Sequence, residues 1–225
     1  MLDKYFGFLR VYDEFTVMES LIDHNRIDEE ELRLLVQIVE AFTENKLEII
    51  EEYYQKIQNI NTESAQIFET ISDQVIQANF DHQKQYDLLR LHQRIENISS
   101  LILLNATRLR ITKNINAELP RELHEDFKRI SKDILEIHKL YMMALKRFSN
   151  NKKEVIQCIH TVEEYEEKFQ ASIAESIEKL YILGNSQNLP IGNFMIINDV
   201  LNHMSELGYS IKIAATSIDW LLINS

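Results

Sequence analysis

Between Tyr86 and Ile111 the apolar residues Leu88, Leu91, Ile95, Ile98, Ile102 and Leu109 recur three and four positions apart, and Asn105 fills the one missing place. That spacing is the seam of a helix packed lengthwise on other helices. The rhythm runs through the chain. Lys4 to Asp23 reads as a helix with Phe8, Val11, Phe15, Met18 and Ile22 on one side. His24-Asn25-Arg26 predicts an interruption, and Asp28 with Glu31 three residues on has the form of a capping box that opens a new helix. Leu32, Leu35, Val39 and Phe42 continue it. Ile49 or Ile50, Tyr53, Ile57, Ile60, Ile67, Ile71 and Val75 then carry the pattern to about Asn79. One straight helix of that length outruns a compact domain, so a break is expected near Thr43-Glu44-Asn45.

Asp81 to Gln85 is polar and turns the chain into the Tyr86–Ile111 helix. After a connection from Thr112 to Leu119, Pro120 sits where the first turn of a helix tolerates it. Leu123, Phe127, Ile130, Ile134, Ile137, Tyr141, Ala144 and Phe148 form the next seam, and Ser149-Asn150-Asn151 marks a turn. Val155, Ile159, Val162, Phe169, Ile173 and Leu180 define a fifth helix, with Glu166 at a seam position. Gly184 is a candidate stop, and Asn185 to Pro190 reads as a loop. The last helix carries Phe194, Ile197, Leu201, Met204, Gly208, Ile211, Ala215, Ile218 and Leu222; Gly208 in that seam lets a neighbouring backbone come close.

These elements predict an all-α fold: an elongated up-down helical bundle of two antiparallel three-helix repeats, about 12–115 and 119–224, within a single helical domain 1–225. Four Gly and two Pro leave little room for a hairpin-rich sheet.

A net charge of −12 argues against nucleic-acid binding and against docking on an anionic membrane. The longest apolar run, Leu101 to Leu104, is far short of a membrane span, so no direct membrane insertion is expected. The start MLDKYFGFLRVYDEF lacks the form of a secretion signal, and one cysteine, Cys158, allows no internal disulfide. A soluble, cytoplasmic protein is the expectation.

Candidate chemistry is sparse. None of the seven histidines has an acid three residues before it, which excludes the usual ferritin-like di-iron pattern. His92 with Glu96, and Asp199 with His203, have one-turn spacing and read as surface pairs. Cys158 lies beside a seam as a packing residue. Glu163 and Glu167 are one turn apart and could chelate a cation together with acids of a facing helix; the plain alternative is a solvated face. Arg108, Arg110, Lys113 and Arg121 suit a helix C-terminus, or else a docking patch for an acidic partner segment.

Residues 49–71 (IIEEYYQKIQNINTESAQIFETI), 92–109 (HQRIENISSLILLNATRL), 159–180 (IHTVEEYEEKFQASIAESIEKL) and the closing stretch 197–223 together resemble the PhoU-like family of phosphate-transport regulators, in its single-chain branch. The resemblance implies a negative regulator that acts beside a phosphate transporter or its signalling protein. A homodimer is compatible with it. Many members carry acids four positions apart that bind metal clusters. Carried onto this chain, those pairs fall at Asn61 and Ala65 (with Glu63 close by), Glu96 and Ser100, Glu163 and Glu167, and Ser205 and Tyr209 (with Glu206 adjacent). Only the third pair keeps both acids. One pair cannot complete a six-coordinate shell, so the expectation is the scaffold without its metal clusters and without catalysis. The alternatives are a metal-binding protein or metal-dependent enzyme using Glu163, Glu167 and Glu96 with a divalent metal or iron cluster, and a structural bundle with no phosphate role.

Overall fold

The computed structural model describes residues 12–149, 151–186 and 189–223. Six α-helices and no strand occur among them: α1 (Glu14–Thr43), α2 (Leu47–Gln77), α3 (His82–Asn114), α4 (His124–Arg147), α5 (Lys152–Ser186) and α6 (Ile191–Ile223). A short 3₁₀ turn, Arg121–Leu123, leads into α4 directly after Pro120. The helices of 30 to 35 residues are about 45–50 Å long. The result is the expected bundle of two antiparallel three-helix repeats. Within each repeat every helix packs on the other two, and α1 against α4 and α3 against α6 join the repeats.

The break expected near Thr43 is present. α1 ends there, Asn45 adopts a left-handed φ of 57°, and the Lys46 amide returns to the Ala41 carbonyl at 2.8 Å. Asn116 repeats this device after α3, with φ 50° and the Ala117 amide on the Thr112 carbonyl. Asparagine tolerates this conformation better than most residues, which lets two long helices reverse in a few residues.

Other expectations are corrected. α1 runs unbroken through His24-Asn25-Arg26 from an N-cap at Asp13, whose carboxylate accepts the Thr16 amide at 2.8 Å. Asp28 and Glu31 are therefore mid-helix and fully buried, and they cap nothing. The inward stripe of α1 is Val17, Leu21, His24, Asp28, Glu31, Leu35, Ile38 and Phe42, a four-three alternation with three polar places. Phe15, expected in the seam, is 59% exposed, and Phe8 and Val11 lie outside the described residues. Gly184 does not stop α5, which continues to Ser186; it makes room for the Phe194 ring. At Gly208 a side chain, the Phe169 ring, makes the close approach rather than a backbone.

The seams of α4 and α6 hold almost residue for residue. Leu123 to Phe148 and Ile197 to Leu222 are buried at every expected position, with Phe194 partly covered.

Candidate functional site

The first repeat has a polar interior. His24 and Glu31 of α1, Ser64 of α2, and His92 and Ser99 of α3 all have no exposed surface. Their positions follow the helix seams, so the geometry that drives Leu and Ile inward also drives these groups inward. His24 is the hub: Nδ1 lies 3.2 Å from His92 Nε2, Nε2 lies 2.7 Å from Ser64 Oγ, and Glu96 Oε2 stands 3.6 Å from Nε2. His92 also stacks on Phe68 at 4.4 Å. The pair His92 and Glu96, expected on the surface, belongs to this interior; His92 is buried and Glu96 half-buried.

A second chain of bonds runs beside it. Asn61 Nδ2 donates to Ser99 Oγ at 2.9 Å, and Ser99 Oγ donates to Glu31 Oε2 at 2.8 Å. Towards the second repeat, Asn25 donates to the buried Tyr141 hydroxyl at 3.2 Å, and the Tyr141 ring meets His138 edge-on. Both oxygens of Asp28, Glu31 Oε1, Glu96 Oε2 and both His138 nitrogens are buried without a hydrogen-bond partner.

Burial sets the protonation of these groups. Removal from water pushes Glu31 up to about 8, and the nearby Glu96 adds to the rise although the Ser99 hydrogen bond opposes it. Asp28 is raised well above the usual carboxylate range, first by burial and then by Glu31 and Glu96. Burial also raises Glu96. The same loss of water lowers His24 to about 4, His92 to about 3 and His138 to about 4. The cluster therefore sets a protonated Glu31 close to uncharged imidazoles.

The second repeat solves its polar seam differently. Glu166 of α5 is buried, and Lys212 of α6 forms an ion pair with its Oε2. Gln170 Nε2 donates to Glu166 Oε1 at 2.8 Å and to the Ser205 carbonyl at 3.0 Å, and the Ser205 hydroxyl returns to Gln170 Oε1. Tyr209, 51% exposed, lies under the Lys212 ammonium, 5.0 Å from the ring centre.

The sequence-predicted ligands do not meet. Glu163 is partly exposed and faces His160 at 3.2 Å one turn away, and Glu167 is exposed. Glu96 shares its surroundings with His24 and Ser64 in the other repeat. Among the described residues no three His, Cys, Asp or Glu side chains are grouped so as to hold a metal ion. His203 faces Glu206 at 3.6 Å rather than Asp199, and Cys158 is buried with Arg147 Nη1 3.6 Å from its sulfur. In the basic cluster, Arg110 and Lys113 are drawn to Glu51, so it does not stand as an open patch.

Sequence comparison matches no family model and no curated protein. Structure comparison does match. A chain described as a PhoU-like phosphate regulatory protein from Shewanella oneidensis MR-1 superposes with a TM-score of 0.81 at 15% identity, over 93% of this chain and all of that one. A PhoU-like protein from the same organism gives 0.82 at 14% identity, over 92% of this chain and all of that one. PhoU from Pseudomonas aeruginosa gives 0.75 at 12% identity, over 93% and 96%. The chain has the PhoU fold.

Against the PhoU fold, the positions that the resemblance marks as acidic pairs are informative. Asn61 is tied to Ser99, Ser205 to Gln170, and Tyr209 to Lys212. These three positions offer an amide, a hydroxyl and a ring covered by a cation, a poor donor set for a hard or borderline metal. The acids that remain, Glu96 in the first repeat and Glu163 and Glu167 in the second, are too few and too far apart to supply the ligands of a metal cluster of the family's kind.

The sequence reading missed His24, Asp28, Glu31 and Ser64. The signal was available: polar residues at consecutive seam positions are buried when the helix is continuous.

Proposed function

We propose that the chain is a PhoU-like regulatory adaptor that restrains phosphate uptake through protein contacts in the cytoplasm. Its partner is a phosphate transporter or the signalling protein that serves one. It performs no catalysis and works without a resident metal. One observation carries this reading: the fold coincides, over more than nine-tenths of the chain, with proteins described as PhoU or as phosphate regulators. Fold alone does not dictate function, so the hydrogen-bonded fillings at the acidic-pair positions give independent support for the metal-free part. No described helix is long and apolar enough to cross a membrane, which suits a partner that stands at the membrane while this chain does not.

The test is uptake of radiolabelled phosphate by host cells lacking the chain. Raised uptake in phosphate-rich medium, restored by the wild-type gene, supports the proposal. Unchanged uptake contradicts it.

A further inference from the structure

Along α3, Tyr86, Arg90, Gln93 and Asn97 follow one another at three- and four-residue spacing, with Arg94 next to Gln93, a stripe about 16 Å long on the outer side of the helix. α6 runs beside it. Asn97 Nδ2 donates to Ser210 of α6 at 3.0 Å, and the Arg90 guanidinium stacks 4.5 Å above the ring of Trp220. The groove along this stripe is lined by α3 residues, with Tyr86 61% exposed, and Trp220 of α6, 47% exposed, lies against Arg90 at its side. It lies beside the α3–α6 contact that joins the two repeats.

The stripe carries two arginines and no acid on an acidic chain. The net charge is −12, and Lys84, Arg110 and Lys113 of α3 and Lys212 of α6 each meet an acid. Arg90 and Arg94 do not: among the described residues Arg90 has only the Trp220 ring, and Arg94 has no partner. Stacking holds the flat face of the Arg90 guanidinium and leaves its N–H edge free to receive a carboxylate. A second copy of this chain set on the stripe about a two-fold axis lays arginine against arginine, which disfavours self-association there.

We propose that the groove along α3 docks an acidic amphipathic helix of the regulated partner, with two carboxylates one turn apart meeting Arg90 and Arg94 and an apolar residue against Tyr86. This rests on the adaptor reading and specifies its surface. Two positive groups one turn apart select a negative helix of about three turns and reject a basic or wholly apolar one.

A photo-crosslinking amino acid in place of Gln93, used in host cells with the full chain, tests this directly. The expected adduct, sequenced by mass spectrometry, is a helical segment with acids at one-turn spacing. Its yield falls about tenfold in Arg90→Glu/Arg94→Glu and stays level in Lys153→Glu, a charge change on exposed α5 surface. No adduct, an adduct with this chain itself, or a basic or apolar segment overturns the proposal. An acidic helix from a protein unconnected with phosphate uptake keeps the groove and removes the phosphate role. Uptake that is still regulated by the Arg90→Glu/Arg94→Glu chain keeps the phosphate role and removes the groove.

Discussion

Ser99 donates its hydroxyl to Glu31 Oε2 at 2.8 Å, while the other oxygen of the same carboxylate is buried with no partner. One neutral hydrogen bond does not compensate an ionised carboxylate in such a place. Glu31 therefore holds its proton up to about pH 8, and Asp28 is pushed the same way.

Stability should accordingly fall as pH rises through 8. In the unfolded chain Glu31 ionises near its ordinary 4.5, so the benefit of keeping it neutral is complete below that pH and is lost by about 8. The histidines act in the opposite sense. His24, His92 and His138 are lowered from 6.5 to about 4, 3 and 4, so their contribution is full above 6.5 and is lost as pH falls towards 4. Between 6.5 and 8 the acids act unopposed. Urea midpoints should be higher at pH 6.5 than at pH 8.5, and Glu31→Gln, which keeps an acceptor for Ser99, should flatten the difference. A midpoint that rises across this window would sink the assignment.

In the second repeat the buried charge is paired, and the expected behaviour differs. Lys212→Met strips the buried Glu166 of its cation and should cost about 3 kcal/mol, whereas the double change Lys212→Met/Glu166→Met should recover most of it. Urea unfolding of the three variants checks this. Equal losses in the single and double variants would mean that the ion pair is not what holds this seam.

Gly208 is required by its neighbour. A Cβ there would lie 2.5 Å from the Phe169 ring, and both residues are buried in the α5–α6 contact. Gly208→Ala should lower stability by about 1–3 kcal/mol despite alanine's better helix propensity. Adding Phe169→Leu should relieve part of the loss in a thermal melt. A more stable Gly208→Ala protein would contradict the packing described.

The seams of α4 and α6 were legible because apolar residues occupy almost every inward position, and the turn at Asn45 because one straight helix from Asp28 to Asn79 would outrun a compact domain. The start of α1 was not. Asp28 and Glu31 have capping-box spacing, but the same three-residue separation also puts both acids on one inward face of a continuous helix. Local pattern cannot separate these cases; the helices packed over that face decide. For the same reason His92 and Glu96 read as a surface pair, although Ser64 and His24 reach across to cover them. At Glu163 and Glu167 the one-turn spacing was real, but Glu163 turns to His160, and the wall that α6 sets opposite Glu167 holds Glu206 among Asn202, Ser205, Tyr209 and Lys212 rather than a set of acids.

The proposed adaptor works without a resident metal, its polar seams held by hydrogen bonds, a buried ion pair and protonated acids. The direct test is elemental analysis of untagged protein purified without chelator. The account predicts far less than one Fe, Zn, Mn or Mg per chain, before and after soaking in the metal. One or more ions per chain, lost on Glu163→Ala or on Glu31→Gln, would contradict it.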